Sequence, residues 1–178
     1  GGRVDGATQI KDAILDSKVL TVAFINRRAI SAGALISLSC EKIIMTGGGT
    51  IGAATAVDLS GKKASEKVIS YMREEMASTA EANNRSRDVA SAMVDEELFV
   101  AFIVNSNEDT LTSKDVEGFS AGKLVTLSTS LALLLDIADE KFNNIDEIMD
   151  HMNLGNAEKV EITESWSEML VRFLTNPD

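Results

Sequence analysis

The sequence predicts an α/β domain with a largely parallel sheet. Three observations predict it. Apolar runs rich in β-branched residues alternate with segments of helical periodicity along the 178-residue chain. Several runs, above all "KVLTVAFIN" (18–26), are apolar throughout rather than alternating, the pattern of strands covered on both faces. A hydrophobic content of 44% with mean hydropathy near zero suits one well-formed core.

Each element follows from a local pattern. "ATQIKDAILDS" (7–17) sets Ile10, Ile14 and Leu15 at helical spacing with charges between them. "KVLTVAFIN" is a buried strand. "SAGALISLSCE" (31–41) is small and apolar, a buried helix, and "KIIMT" (42–46) a short strand. "GGGTIGAATAV" (47–57) joins glycines to a short strand, and "DLSGKK" (58–63) is a polar loop. "SEKVISYMREEMASTAEANNR" (65–85) is the clearest helix, with Val68, Met72, Met76 and Ala80 on one stripe beside Tyr71. "DVASAMVDEE" (88–97) reads as a helix and "LFVAFIVN" (98–105) as a strand. "LSTSLALLLDIAD" (127–139) and "NIDEIMDHMNL" (144–154) close the domain as helices; "EITESWSEMLVRFLTNPD" (161–178) is a strand and an amphipathic segment leading elsewhere.

Composition excludes several functions. A net charge of −11 opposes sequence-independent nucleic-acid binding and an anionic membrane surface as the main partner. The single cysteine, Cys40, allows no internal disulfide and reads as a buried, inert thiol. No run of about 20 apolar residues spans a membrane. The chain starts "GGRVDG", without methionine or signal peptide, and reads as an excised piece of something longer.

"GGGTIG" lacks the Lys-Ser/Thr of a phosphate-binding P-loop and opens no obvious helix. Close backbone packing or a substrate rim fits it better. No His/Cys cluster has metal-ligand spacing, and no cofactor is implied. The one histidine, His151, lies near a helix end, where it is a favourable charge before it is a triad member.

Ser31 has two readings. It is the N-cap of a helix, or a nucleophile at the carboxyl end of a buried strand, where open α/β sheets place their sites. Ala32 and Gly33 leave room for a substrate, and helix N–H groups stand ready for an oxyanion. A nucleophilic serine needs a base. A lysine serves only when neutral, a state favoured by burial and by the positive end of a helix dipole. Lys67 lies in the first turn if Ser65 caps the long helix, at the border of its apolar stripe. The alternative is a surface lysine.

"RRAISAGALISLSCEKIIMTGGGTIGAATAV" (27–57) resembles the membrane-bound serine protease domain of NfeD proteins, in the Clp-protease/crotonase superfamily. A serine in S-A-G opens the helix after a buried strand in that family, and a segment like "TIGAATAV" follows the next strand. A lysine then begins a long helix ending in an A-E-x-x-G-R-like motif, here Lys67 to "AEANNR" with Arg85 in the arginine's place. "SAMVDEE" matches A-x-x-M-V, "GKLVTLSTSLALLLDIAD" resembles the L-T-L segment with its "GiAD"-like end, and "ESWSEMLVRFLTNP" resembles the stretch before the family's membrane helices.

The resemblance implies a repeated ββα superhelical fold with a largely parallel sheet, and an N-terminal unit ahead of Gly1. It implies a Clp-like domain over 1–160, with 161–178 leading toward a membrane domain. It implies a serine endopeptidase with nucleophile Ser31 and general base Lys67, 36 residues apart. The oxyanion hole would use the N–H of Ala32 and a glycine of the family's T-P-G-G loop, here Gly1 or Gly2. The implied substrates are hydrophobic polypeptide segments, and the partners stomatin-like membrane proteins. The implied setting is membrane-associated and extracytoplasmic, with a homo-oligomer, taken as a dimer. Asn83-Asn84 stands where the family has a glycine. Two further readings of the same fold are a catalytically silent scaffold and a crotonase-type acyl-CoA enzyme; signal peptide peptidases are a closer competitor.

Overall fold

The computed structural model describes residues 4–55, 63–98, 100–101, 103–105, 110–112 and 122–163. Gly1, Gly2, the end of the chain from 164, and most of "DLSGKK" lie outside them.

Helix α1 (Val4–Leu15) leads into two short strands, β1 (Val22–Ile25) and β2 (Arg28–Ile30), and then α2 (Ala32–Ser39). The pattern recurs as β3 (Lys42–Met45), β4 (Thr50–Gly52) and α3 (Glu66–Ala82). The first strand of each unit joins one sheet and the second joins another: β1 lies parallel to β3, and β2 parallel to β4. This is a ββα unit used twice in succession, the arrangement that the family resemblance implies and that the apolar pattern alone, which shows no internal repeat, does not. After α4 (Arg87–Ala92) comes a hairpin, β5 (Ile103–Asn105) and β6 (Thr110–Thr112). Then follow β7 (Thr126–Ser128), α5 (Thr129–Leu134), β8 (Glu140–Lys141) and α6 (Ile145–His151). The sheets have the orders β1-β3-β8 and β2-β4-β7, and only the β4–β7 pairing within them is antiparallel.

The core sits between α2, α3 and the sheets, with Leu35, Leu38, Ile43, Met45, Ile51, Met76, Met93 and Leu127 fully buried. Helix α2 is apolar because it is enclosed: Ala34, Leu35 and Leu38 have no exposed surface.

The structure corrects several details. "KVLTVAFIN" is a strand only over Val22–Ile25, and it is half-buried because β1 ends its sheet. A second strand, β2, intervenes before Ser31. "LFVAFIVN" is strand only over Ile103–Asn105 among the described residues, and Leu127 and Ser128 belong to a strand, so the helix expected from 127 starts at Thr129. On α1 the buried positions are Ala7 and Lys11, while Ile10 is exposed. Lys11 goes inward because Glu75 of α3 meets its amine at 2.9 Å. Burial works to lower the pKa of Lys11, but the bonds to Glu75 and Asp12 prevail and hold it above the ordinary value. On α3 the stripe turns by one residue: Ile69, Met72, Met76 and Ala80 are buried, and Val68 is exposed.

The far end of α3 shows how the chain copes without its glycine. Asn84 adopts φ 58, the left-handed conformation that closes a helix. Its N–H donates to Glu81 O at 2.9 Å and that of Arg85 to Ala80 O at 2.8 Å, a Schellman closure. Asparagine is the side chain best able to replace glycine there. Arg85 is then buried and donates to Ile137 O at 3.0 Å, Cys40 O at 3.1 Å, Glu41 O at 3.1 Å and Asp139 Oδ2 at 2.9 Å. Burial alone would raise the pKa of Asp139. The N–H of Ile43, together with Lys42 and Arg85, overcomes this and holds the carboxyl below the usual range.

Candidate active site

Ser31 follows the last residue of β2 and precedes the first of α2. It occupies the N-cap position, yet its side chain makes no capping hydrogen bond. Its backbone has φ 58 and ψ −121. A non-glycine residue pays strain to sit there, and such strain gathers at functional sites. In this strand-to-helix turn the N–H groups that a capping serine would serve receive no bond from the Ser31 side chain. Ala32 and Gly33 are the first two helical residues, so their N–H groups have no carbonyl to bond within α2. The positive end of the helix is thus aimed at the space beside Ser31.

The turn is held by backbone alone. Ser31 N–H donates to Gly52 O at 3.2 Å. Beyond Gly52, the N–H of Ala53 donates to Val125 O at 3.1 Å and that of Ala54 to Met93 O at 2.7 Å. Gly52 has φ 137, and a Cβ there would stand 2.4 Å from Val125 O. This is why T-I-G-A-A needs its glycine: a residue without a Cβ lets β4 and β7 meet at backbone distance. Gly33 differs, since a Cβ on it would meet only Ala29 Cβ, at 3.8 Å. Internal packing leaves that face of Gly33 open.

Lys67 is the second residue of α3, in its first turn, as the sequence predicts. Ser65 occupies the N-cap position. Lys67 is exposed, so this chain does not supply the burial invoked for a lysine base. Among the described residues no ion pair or hydrogen bond engages it. Of the three oxyanion candidates, the structure describes Ala32; Gly1 and Gly2 lie outside the described residues.

The competing sites are accounted for. Gly47–Gly49 turn from β3 into β4, and Thr129 ties that turn down: its hydroxyl donates to Thr46 O at 2.6 Å and its N–H to Gly49 O at 3.1 Å. His151 lies against Phe142, ring centroids 5.0 Å apart, with Nε2 at 2.8 Å from Glu140 Oε2. Cys40 is buried, and burial pushes its thiol up against the smaller influences of Arg85 and Thr21.

Residues 1–162 match the family model described as the NfeD1b N-terminal domain. The chain belongs to this family. The membrane protein NfeD1b of Bacillus subtilis (strain 168) is 33% identical over 177 residues, covering 99% of this chain and 37% of the relative. The chain therefore spans well under half the length of that curated relative. Among solved structures, a lysine-to-alanine variant of the 1510-N membrane-bound stomatin-specific protease, in complex with a substrate peptide, superposes with a TM-score of 0.70 at 20% identity, over 99% of this chain and 79% of that one. A serine-to-alanine variant of 1510-N gives 0.63 at 21% identity, over 92% and 72%. The 1510-N protease specific for a stomatin homolog from Pyrococcus horikoshii gives 0.60 at 20%, over 99% and 78%. The chain thus shares the fold of the 1510-N proteases, a mixed α/β fold with a largely parallel sheet. No helix among the described residues is long and apolar enough to cross a membrane.

Proposed function

We propose that this chain is the peptidase domain of a serine endopeptidase with a Ser31–Lys67 dyad. The observation that carries the reading is Ser31 itself: it holds the cap position of α2 at φ 58 without capping the helix. A serine kept in a strained turn, beside the free N–H groups of a helix start, is arranged for attack rather than for capping.

Neutral Lys67 Nζ takes the proton from Ser31 Oγ as Oγ bonds to the scissile carbonyl carbon. The oxyanion accepts from the N–H of Ala32 and from a second donor at Gly1 or Gly2. The intermediate collapses, the C–N bond breaks, and the lysine ammonium passes its proton to the departing amine. Water repeats the sequence on the acyl-enzyme and restores Ser31. The exposure of Lys67 requires that substrate or a second subunit cover the amine during the reaction; a dimer is the assembly proposed.

The substrate class is a hydrophobic segment of a membrane-associated protein such as a stomatin homologue, a reading supported by the specificity of the 1510-N proteases. Residues 1–160 form the peptidase domain, and 161–178 lead toward a membrane domain, with the peptidase on the extracytoplasmic side. The exposure of Lys67 also favours a second reading, a scaffold that has kept the fold without the chemistry.

Cleavage of casein and of a hydrophobic stomatin C-terminal peptide decides between them. Wild type should cut, and Ser31→Ala and Lys67→Ala should each abolish cutting while remaining folded. Cleavage that persists in Ser31→Ala would sink the peptidase reading, and a wild type that never cuts would favour the scaffold.

A further inference from the structure

The segment 92–97, from the last residue of α4 onward, bonds to the surroundings of each member of the proposed dyad. Toward the nucleophile it works through backbone: Met93 O accepts from Ala54 N–H at 2.7 Å, and Ala92 O accepts from Val125 N–H at 2.9 Å. These bonds hold the strand end whose Gly52 carbonyl receives Ser31 N–H at 3.2 Å. Toward the base it works through carboxylates. Asp95 pairs with Arg73 of α3, and Glu96 with Lys63, just ahead of α3, at 2.8 Å. Arg73 also reaches Glu66 at 3.7 Å, the first residue of α3 and the neighbour of Lys67.

The two carboxylate contacts differ in kind. Lys63 and Glu96 are 43% and 41% exposed, and water screens them. The Asp95 side chain is only 8% exposed. Its Oδ2 faces Arg73 and its Oδ1 accepts from Glu97 N–H at 3.0 Å. A buried carboxylate bonded through both oxygens has one orientation, so it holds Arg73 at one point. Arg73 lies six residues beyond Lys67, about 9 Å along the helix axis. Holding Arg73 therefore adds a directed polar tether, near the start of α3, to the packing of Ile69, Met72, Met76 and Ala80. Lys67 needs such support from outside, because an exposed lysine on a flexible stem has none of its own.

We propose that Asp95 is a positioning residue: through Arg73 it sets the first turns of α3 so that the Lys67 amine meets the Ser31 hydroxyl. The inference rests on the dyad reading above. It predicts a loss in the chemical step rather than in binding, because misplacing a catalytic group by about 1 Å costs on the order of a hundredfold in rate.

The test compares wild type, Asp95→Asn, Arg73→Gln, Arg73→Lys and Ser31→Ala. It measures kcat and KM on a hydrophobic fluorogenic peptide, the rate of Ser31 labelling by a fluorophosphonate, and the folded fraction in urea. Asp95→Asn should lower kcat and labelling about 10- to 100-fold with KM unchanged and the chain folded. Arg73→Lys, which keeps the ion pair, should stay within about threefold of wild type. If Asp95→Asn does not fold, Arg73→Gln, on the more exposed partner, carries the same expectation. The proposal fails if these variants keep wild-type kcat, if the loss lies in KM, or if it tracks the unfolded fraction. A wild type that neither cuts nor labels at Ser31 would overturn the dyad and this role with it. A labelled wild type with an equally labelled Asp95→Asn would overturn this role alone.

Discussion

Gly52→Ala tests whether the meeting of β4, β7 and the Ser31 turn holds the site together. The added Cβ would stand 2.4 Å from Val125 O and 2.9 Å from Thr126 Cα, both backbone atoms. Real Cβ contacts essentially never fall below 3.0 Å, so β7 must retreat by at least about 0.6 Å. The backbone at φ 137 adds strain, about 1–3 kcal/mol for a side-chain-bearing residue. The retreat also loosens the Ala53–Val125 bond and, by turning Gly52 O, the Ser31–Gly52 bond, each worth about 1 kcal/mol. The sum is about 3–5 kcal/mol, a large share of the roughly 5–15 kcal/mol that stabilises a domain. Urea unfolding followed by circular dichroism should show the midpoint fall accordingly. A Gly52→Ala midpoint within about 0.5 kcal/mol of wild type would refute the reasoning.

Three further outcomes follow from the same geometry. Ser31→Ala should change stability by less than about 0.5 kcal/mol, because no capping bond is lost, whereas Ser31→Gly should stabilise by about 1 kcal/mol through relief of the positive φ; thermal unfolding of both measures it. Asn84→Gly should raise stability by about 0.5–1 kcal/mol and Asn84→Ala should lower it by a similar amount, since Asn84 sits at φ 58; paired urea titrations decide. Asp139 has a depressed pKa in the folded chain, so its contribution is present above the unfolded carboxylate value, about pH 4, and is lost as pH falls through the folded value. Asp139→Asn should therefore be less stable than wild type at pH 7, and the gap should close on acidification; a constant gap in unfolding midpoints from pH 7 to 3 would contradict the assignment.

What the sequence disclosed was governed by local necessity. T-I-G-A-A is legible because the backbones of β4 and β7 meet at Gly52, where no Cβ fits, and S-A-G is legible as a small-residue helix start. Lys67 at the head of a helix is legible because Ser65 and a long periodic run place it there. The strands β2 and β7 are three residues each, too short to show a period, and they are made by pairing with β4. Tertiary partners decide the rest. Lys11 turns inward only because Glu75 comes to meet it from a distant helix. Ile69 rather than Val68 faces the core because two adjacent apolar residues leave the choice to the packing of α3. Asp95 looks in sequence like one of three acids in a solvated run, and its burial against Arg73 is invisible until α3 and α4 lie together.

The Ser31 turn rests on main-chain bonds, from Ser31 to Gly52, Ala53 to Val125 and Ala54 to Met93. Such bonds are indifferent to side-chain identity, provided that a few positions stay small. The backbone geometry at Ser31 therefore tolerates drift in the surrounding side chains, just as the overall fold is kept at a TM-score of 0.70 and 20% identity. Placement of Ser31 and the chemistry of the surface around it become separately mutable: a lineage can change those side chains without having to rebuild the turn.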